Sequence, residues 1–174
     1  MSNNHSNVTG EVGQLGPESR RSLDLRWQLD SCQVIPRRDP GNKEDALSHL
    51  QGAKNRQLFI LRAAEISKRE VAFFVRRRAE LLAQYHHNVE PLVDFITAHG
   101  FPLNVTRSGQ IVAIFPLDRV AWTKPVSDLV TVIDEDLRGH NLGNNIEVRI
   151  TGTATASARE GLSQAGWKLV ENTK

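Results

Sequence analysis

Cysteine is nearly absent from this chain: Cys32 is the only one among 174 residues. One thiol excludes an internal disulfide and a multi-cysteine zinc site. Burial as a small hydrophobe is its expected role. No stretch approaches the roughly 18 apolar residues that a membrane helix needs. The opening MSNNHSNVTG lacks a basic region followed by an apolar run. No secretion signal is therefore read, and the cytoplasm is the expected location. Neither sign of charge dominates: 22 basic and 20 acidic residues leave +2. A preference for anions must then come from how charge is distributed, not from its total.

Catalytic signatures are missing too. The chain has no Walker A sequence, no Gly-x-Gly-x-x-Gly after a strand, no Gly-x-Ser-x-Gly and no His-Glu-x-x-His. DEDLRGHNLGNN, residues 134–145, begins like a calcium loop. Arg138 stands where a ligand oxygen belongs, and Asn145 replaces the bidentate glutamate. The segment is expected to be a polar connection. His86 and Glu90 are four apart and could share a metal on a helix, but two helix-end histidines favourable to the dipole explain His86 and His87 as well. No cofactor and no metal are expected, and an enzyme is the less favoured reading. An active site would need His140, Asp134 or Asp136, and Arg78 gathered in one pocket.

What is present is an ordinary globular composition, 39% hydrophobic and 24% charged. Residues 1–20 read as a disordered polar tail, and 21–174 as a single α+β domain with a natural joint near 100. Within residues 21–36, Leu23, Leu25, Trp27 and Leu29 alternate with polar side chains, which favours a strand. RRDPGN at 37–42 is a turn, and KEDALSHLQ a short helix capped by Asn42 and ended by Gly52. RQLFILRAA, 56–64, is an apolar run read as a buried strand. Ser67 to Glu70 fits a capping box. From Val71 to Ile96 apolar residues recur at spacings of three and four, with a gap at 78. That predicts a two-segment helix over about 67–98, as 67–87 and 89–98, broken near Asn88 and Pro91 and stopped by His99-Gly100. It is expected to pack on a small mixed or antiparallel sheet.

In the second half, FPLNVT and QIVAIF flank RSG as a hairpin. DLVTVI (128–133) and NIEVRITG (145–152) read as β-rich. TASAREGLSQAG reads as a helix capped by Thr155 or Ser157 and closed by Gly166, and WKLVEN as a last strand. The C-terminal end is then strand–helix–strand.

The charge distribution gives one positive signal. Between Lys54 and Arg78 eight basic residues face Glu65 and Glu70, a local excess of six, whereas residues 101–174 balance at eight and eight. Neighbouring Phe59, Phe73 and Phe74 could help such a cluster grip phosphates. Lys68, Arg69, Arg76, Arg77 and Arg78 are the candidate contacts for a partner or a nucleic acid. At about 100° per residue, Arg69 and Arg76 share the outer face and Arg77 lies to one side. Arg78 falls within the apolar stripe. Its stem is expected to be buried and its head to meet an acceptor, either a carboxylate such as Glu147 or carbonyls at a strand end. Two functional readings follow. The first is a non-catalytic interaction or accessory protein that docks a protein partner, or itself, through the 67–98 region. The second is nucleic-acid binding through the basic helix 68–78.

Overall fold

A computed structural model describes residues 50, 52–64, 68–142 and 145–174. The expectations for 1–49, including the polar tail, the first strand, the Asn42-capped helix and the burial of Cys32, lie outside the described residues. So does Ser67.

The described elements run α1 (Arg56–Ala64), α2 (Arg69–Asn88), β1 (Leu92–Ala98), β2 (Phe101–Thr106), β3 (Ile111–Phe115), β4 (Arg119–Val120), α3 (Lys124–Gly139), β5 (Ile146–Ile150), β6 (Thr153–Ala154), α4 (Ala156–Gln164) and β7 (Lys168–Val170). The class is α+β. Five strands form one mixed sheet in the order β1-β2-β3-β5-β7. β1, β2 and β3 are an antiparallel meander, while β5 and β7 add in parallel. Parallel neighbours need crossovers. α3 supplies the first and α4 the second, which gives the strand–helix–strand end read from the sequence.

Side chains alternate across the sheet and so divide the core. On one face Leu81, Leu82 and Tyr85 of α2 and Phe59 of α1 pack on Phe95, Val112 and Ile114. On the other, Val130, Ile133 and Leu137 of α3 and Leu162 of α4 pack on Leu103, Ile111, Ala113 and Ile146. The short β4 and β6 pair in parallel beside this second face.

Three segments differ from the sequence reading. Residues 56–64 are helix, not strand. The first chain position beside β1 is taken instead by Lys54, whose N–H bonds to Val93 and whose carbonyl accepts from Phe95. Asn55, at φ 56°, then turns the chain into α1. Residues 92–98 are a strand, so the two-segment helix stops at Asn88. His99 and Gly100, both at positive φ, are not a helix stop but the tight turn between β1 and β2. Residues 128–133 belong to α3, which also takes in the first half of the expected polar loop. Pro125 sits in its first turn, where the ring fits. Val126, Leu129, Val130, Ile133 and Leu137 then recur at helical spacing. The capping box also shifts: α2 begins at Arg69, and its N-cap Lys68 makes no side-chain cap bond.

Two glycines hold the β4 segment down. A Cβ on Gly152 would lie 1.8 Å from the carbonyl oxygen of Asp118, and one on Gly161 would lie 2.2 Å from the Trp122 ring. Backbone bonds from Gly152 to Leu117 (2.8 Å), Thr153 to Asp118 (3.0 Å) and Thr155 to Val120 (2.9 Å) complete the clamp. We expect Gly161→Ala to destabilise the protein by about 1–3 kcal/mol through overpacking. Gly152→Ala should cost more, because backbone yields less than a ring. Urea midpoints compare the two. Equal stability of both variants to wild type would show that the segment is not clamped.

Candidate functional site

The five basic residues singled out in the sequence all lie on or just before α2, but they do different things. Lys68 and Arg69 are exposed. Arg76 Nε meets Glu80 at 3.1 Å, and Arg77 Nη1 meets the other oxygen of the same carboxylate at 2.8 Å. These are one-turn pairs on a helix surface, worth a few tenths of a kcal/mol each.

Arg78 is buried, with 5% of its surface exposed. Its Nε donates to the carbonyl of Ile114 (3.0 Å) and its Nη2 to the carbonyl of Pro102 (3.1 Å). The guanidinium lies 4.7 Å from the ring centre of Phe115 and 5.5 Å from that of Phe59. Of the two expected acceptors, strand carbonyls are the ones used. Glu147 is engaged elsewhere.

Glu147 points from β5 toward α2 and is 2% exposed. It accepts from Lys168 Nζ at 2.7 Å and from Arg149 Nε. Burial pushes its carboxyl up, but the hydrogen bonds and charges of Lys168 and Arg149 outweigh this and hold it below the usual range. Arg149 also lies over the Tyr85 ring at 4.9 Å. Burial, with the charge of Glu147 second, raises the Tyr85 hydroxyl, and Arg149 partly offsets them. On the same face, Asn104 is completely buried, and both polar atoms of its amide lack a hydrogen-bond partner. Strand spacing puts Glu147 and Arg149 on one face of β5, whereas Lys168 is added only by the parallel β5–β7 pairing.

The residues that would mark an active site do not converge. Asp134 accepts from the Trp167 indole at 2.8 Å. Asp136 accepts from the His99 N–H at 2.5 Å and faces His140 at 3.5 Å. Arg78 is buried among carbonyls of β2 and β3. Among the described residues no group of three or more His, Cys, Asp or Glu is placed to hold a metal. No described helix is long and apolar enough to cross a membrane. Thr155 does cap α4, its hydroxyl accepting from Ala158 N–H at 3.2 Å.

His86 closes the turn from α2 into β1. Its Nδ1 accepts from the Leu92 N–H at 3.0 Å, which requires that nitrogen to be unprotonated. Burial, then the charges of His87 and Arg107, lower its pKa below the usual 6.5.

Two outcomes follow. Arg78→Ala should cost about 2–4 kcal/mol, since it strands the buried carbonyl of Ile114 and the part-buried one of Pro102 and removes a packed stem. Arg76→Ala and Arg77→Ala should stay within about 0.5 kcal/mol. Thermal or urea unfolding separates them, and equal effects would refute a structural role for Arg78. For His86 the folded pKa lies below the unfolded value, so its contribution is full above pH 6.5. It declines as pH falls from there through the folded pKa. His86→Gln should flatten that part of the stability–pH profile, and an unchanged profile would refute the assignment.

No protein-family model, curated protein or solved structure matches the chain.

Proposed function

We propose that this is a cytoplasmic, non-catalytic accessory protein that docks a protein partner through the side of α2 turned away from the sheet. One observation carries the reading. Val71, Phe74, Arg78, Leu81, Leu82 and Tyr85 bury one side of α2. The opposite side sets Arg69, Phe73 and Arg76 within about two turns, by helical spacing. Phe73 is only partly buried and joins none of the three core clusters of the described residues. Arginine and aromatic side chains in one patch are what interface hot spots are made of. Lys68 and Arg69, exposed at the start of α2, bias the patch toward an acidic partner. A second copy of the chain is the other occupant this reading allows.

Nucleic acid is the second reading, favoured by the local basic excess alone. Charge on Arg76 and Arg77 is partly met by Glu80, which lowers the pull on phosphates.

The test pairs Phe73→Ala with the charge reversal Arg69→Glu. Both should leave the melting temperature nearly unchanged. Both should lower capture of the partner from host extract at least tenfold, or abolish self-association by light scattering. Undiminished capture by both variants, with a strict monomer in solution, would refute the α2 surface. Anisotropy with duplex and single-stranded oligonucleotides decides the second reading. Binding that weakens steeply with salt would favour it.

A further inference from the structure

The face of the sheet opposite α2 contains a cavity of about 100 Å³. Ala113, Phe115 and Ile150 form its floor, Leu129 and Leu162 its helical walls, and Val120 of the clamped segment its cover. The lining is apolar throughout. Its one hydrogen-bonding side chain, Trp167, already gives its N–H to Asp134. A trapped water needs two to four polar partners, and this lining supplies none. Enclosed cavities of this order with such walls stay dry and accept benzene or xenon; here the same kind of lining forms a pocket that is partly open at its rim.

The cavity is also held open by the fold. Its floor belongs to two adjacent strands of the sheet. Its cover is fixed by the contacts of Gly152 and Gly161 and by the backbone bonds from Gly152, Thr153 and Thr155. Collapse onto the void would have to break that clamp. Val126 and Leu129, half-buried at the α3 edge, give the cavity its outer rim.

The geometry points to a binding site for a compact apolar small molecule, an aromatic ring or branched hydrocarbon of about six to eight carbons by comparison with benzene-sized cavities. The site excludes polar analogues, because a hydroxyl placed there would lose its water and find no partner. It is separate from the α2 surface and does not depend on the docking reading.

The test titrates benzene, ethylbenzene and phenol into the isotope-labelled full chain, reading methyl shifts by NMR and the thermal midpoint in parallel. Benzene and ethylbenzene should give saturable shifts centred on Val126, Leu129, Val130 and Ile150, with a rising midpoint. Phenol should bind at least tenfold more weakly. Ala113→Leu fills the floor and should abolish both signals. Ala121→Leu, which fills from the cover, serves the same purpose should Ala113→Leu fail to fold. The proposal is overturned by folded wild-type protein that shows no saturable shift up to the solubility of benzene. It is equally overturned by shifts that persist in a folded filled variant, or by phenol binding as well as benzene.

Discussion

The guanidinium of Arg78 is the constraint on which the packing of α2 depends. A buried, permanently charged group has to be met on several sides, or its desolvation is uncompensated. Here the planar fork spans two neighbouring strands, reaching Ile114 on β3 and Pro102 on β2. The rings of Phe115 and Phe59 cover it. Together the four contacts constrain the rotation of α2 about its axis and its height along the strands. A lysine could not reproduce them, because it lacks the fork. The gap at 78 in the apolar stripe is thus the point that fixes how the helix sits. Phe59 belongs to α1, so the same group also ties the first described helix to the sheet.

The two faces of the sheet are built on different terms. Toward α2 they carry Asn104, Glu147, Arg149 and Lys168 among the apolar side chains. Toward α3 and α4 the buried side chains are aliphatic or aromatic. Glu147 is tolerated because two cations meet it, and Arg149 is steadied by the Tyr85 ring. Removing either cation would leave a buried charge short of partners, whereas exchanging the whole group for apolar residues would lose little. The group meets α2 through Arg149, which lies over the Tyr85 ring. Asn104 is the opposite case: a buried amide with no partner is a standing cost.

How legible all this was in the sequence depended on the range of the interactions. α2, the β2–β3 hairpin, α4 with its Thr155 cap and the closing strand could be read from local spacing and turn chemistry. So could the burial of Arg78, because a charge inside a long apolar stripe has few explanations. The errors fall where period alone is ambiguous. Residues 92–96 satisfy helical spacing by position, yet Pro91 and the tight His99-Gly100 turn make them a hairpin strand. Val130, Thr131, Val132 and Ile133 have strand-like side chains, but Pro125 and the recurrence through Leu137 place them in a helix. Residues 56–64 form an apolar run short enough to suit either. The apolar cavity had no local signal, since it is assembled from segments far apart in sequence; in the Glu147 group only the Glu147–Arg149 pair is local, and Lys168 and Tyr85 come from distant segments.

Phe115 joins the two halves of this design. It lines the cavity, while its ring also meets the Arg78 guanidinium and stacks near Phe74 at 6.4 Å. Its neighbour Ile114 carries the carbonyl that holds Arg78. The same ring therefore bounds the cavity and covers the guanidinium, so the two faces of the sheet share one side chain. The cation–π contact is worth about 0.5–2 kcal/mol for a desolvated pair. Hydrogen bonds to a charged group are worth about 1.5–3 kcal/mol each, so the two carbonyl bonds, more than the ring, hold Arg78 and with it α2 in place.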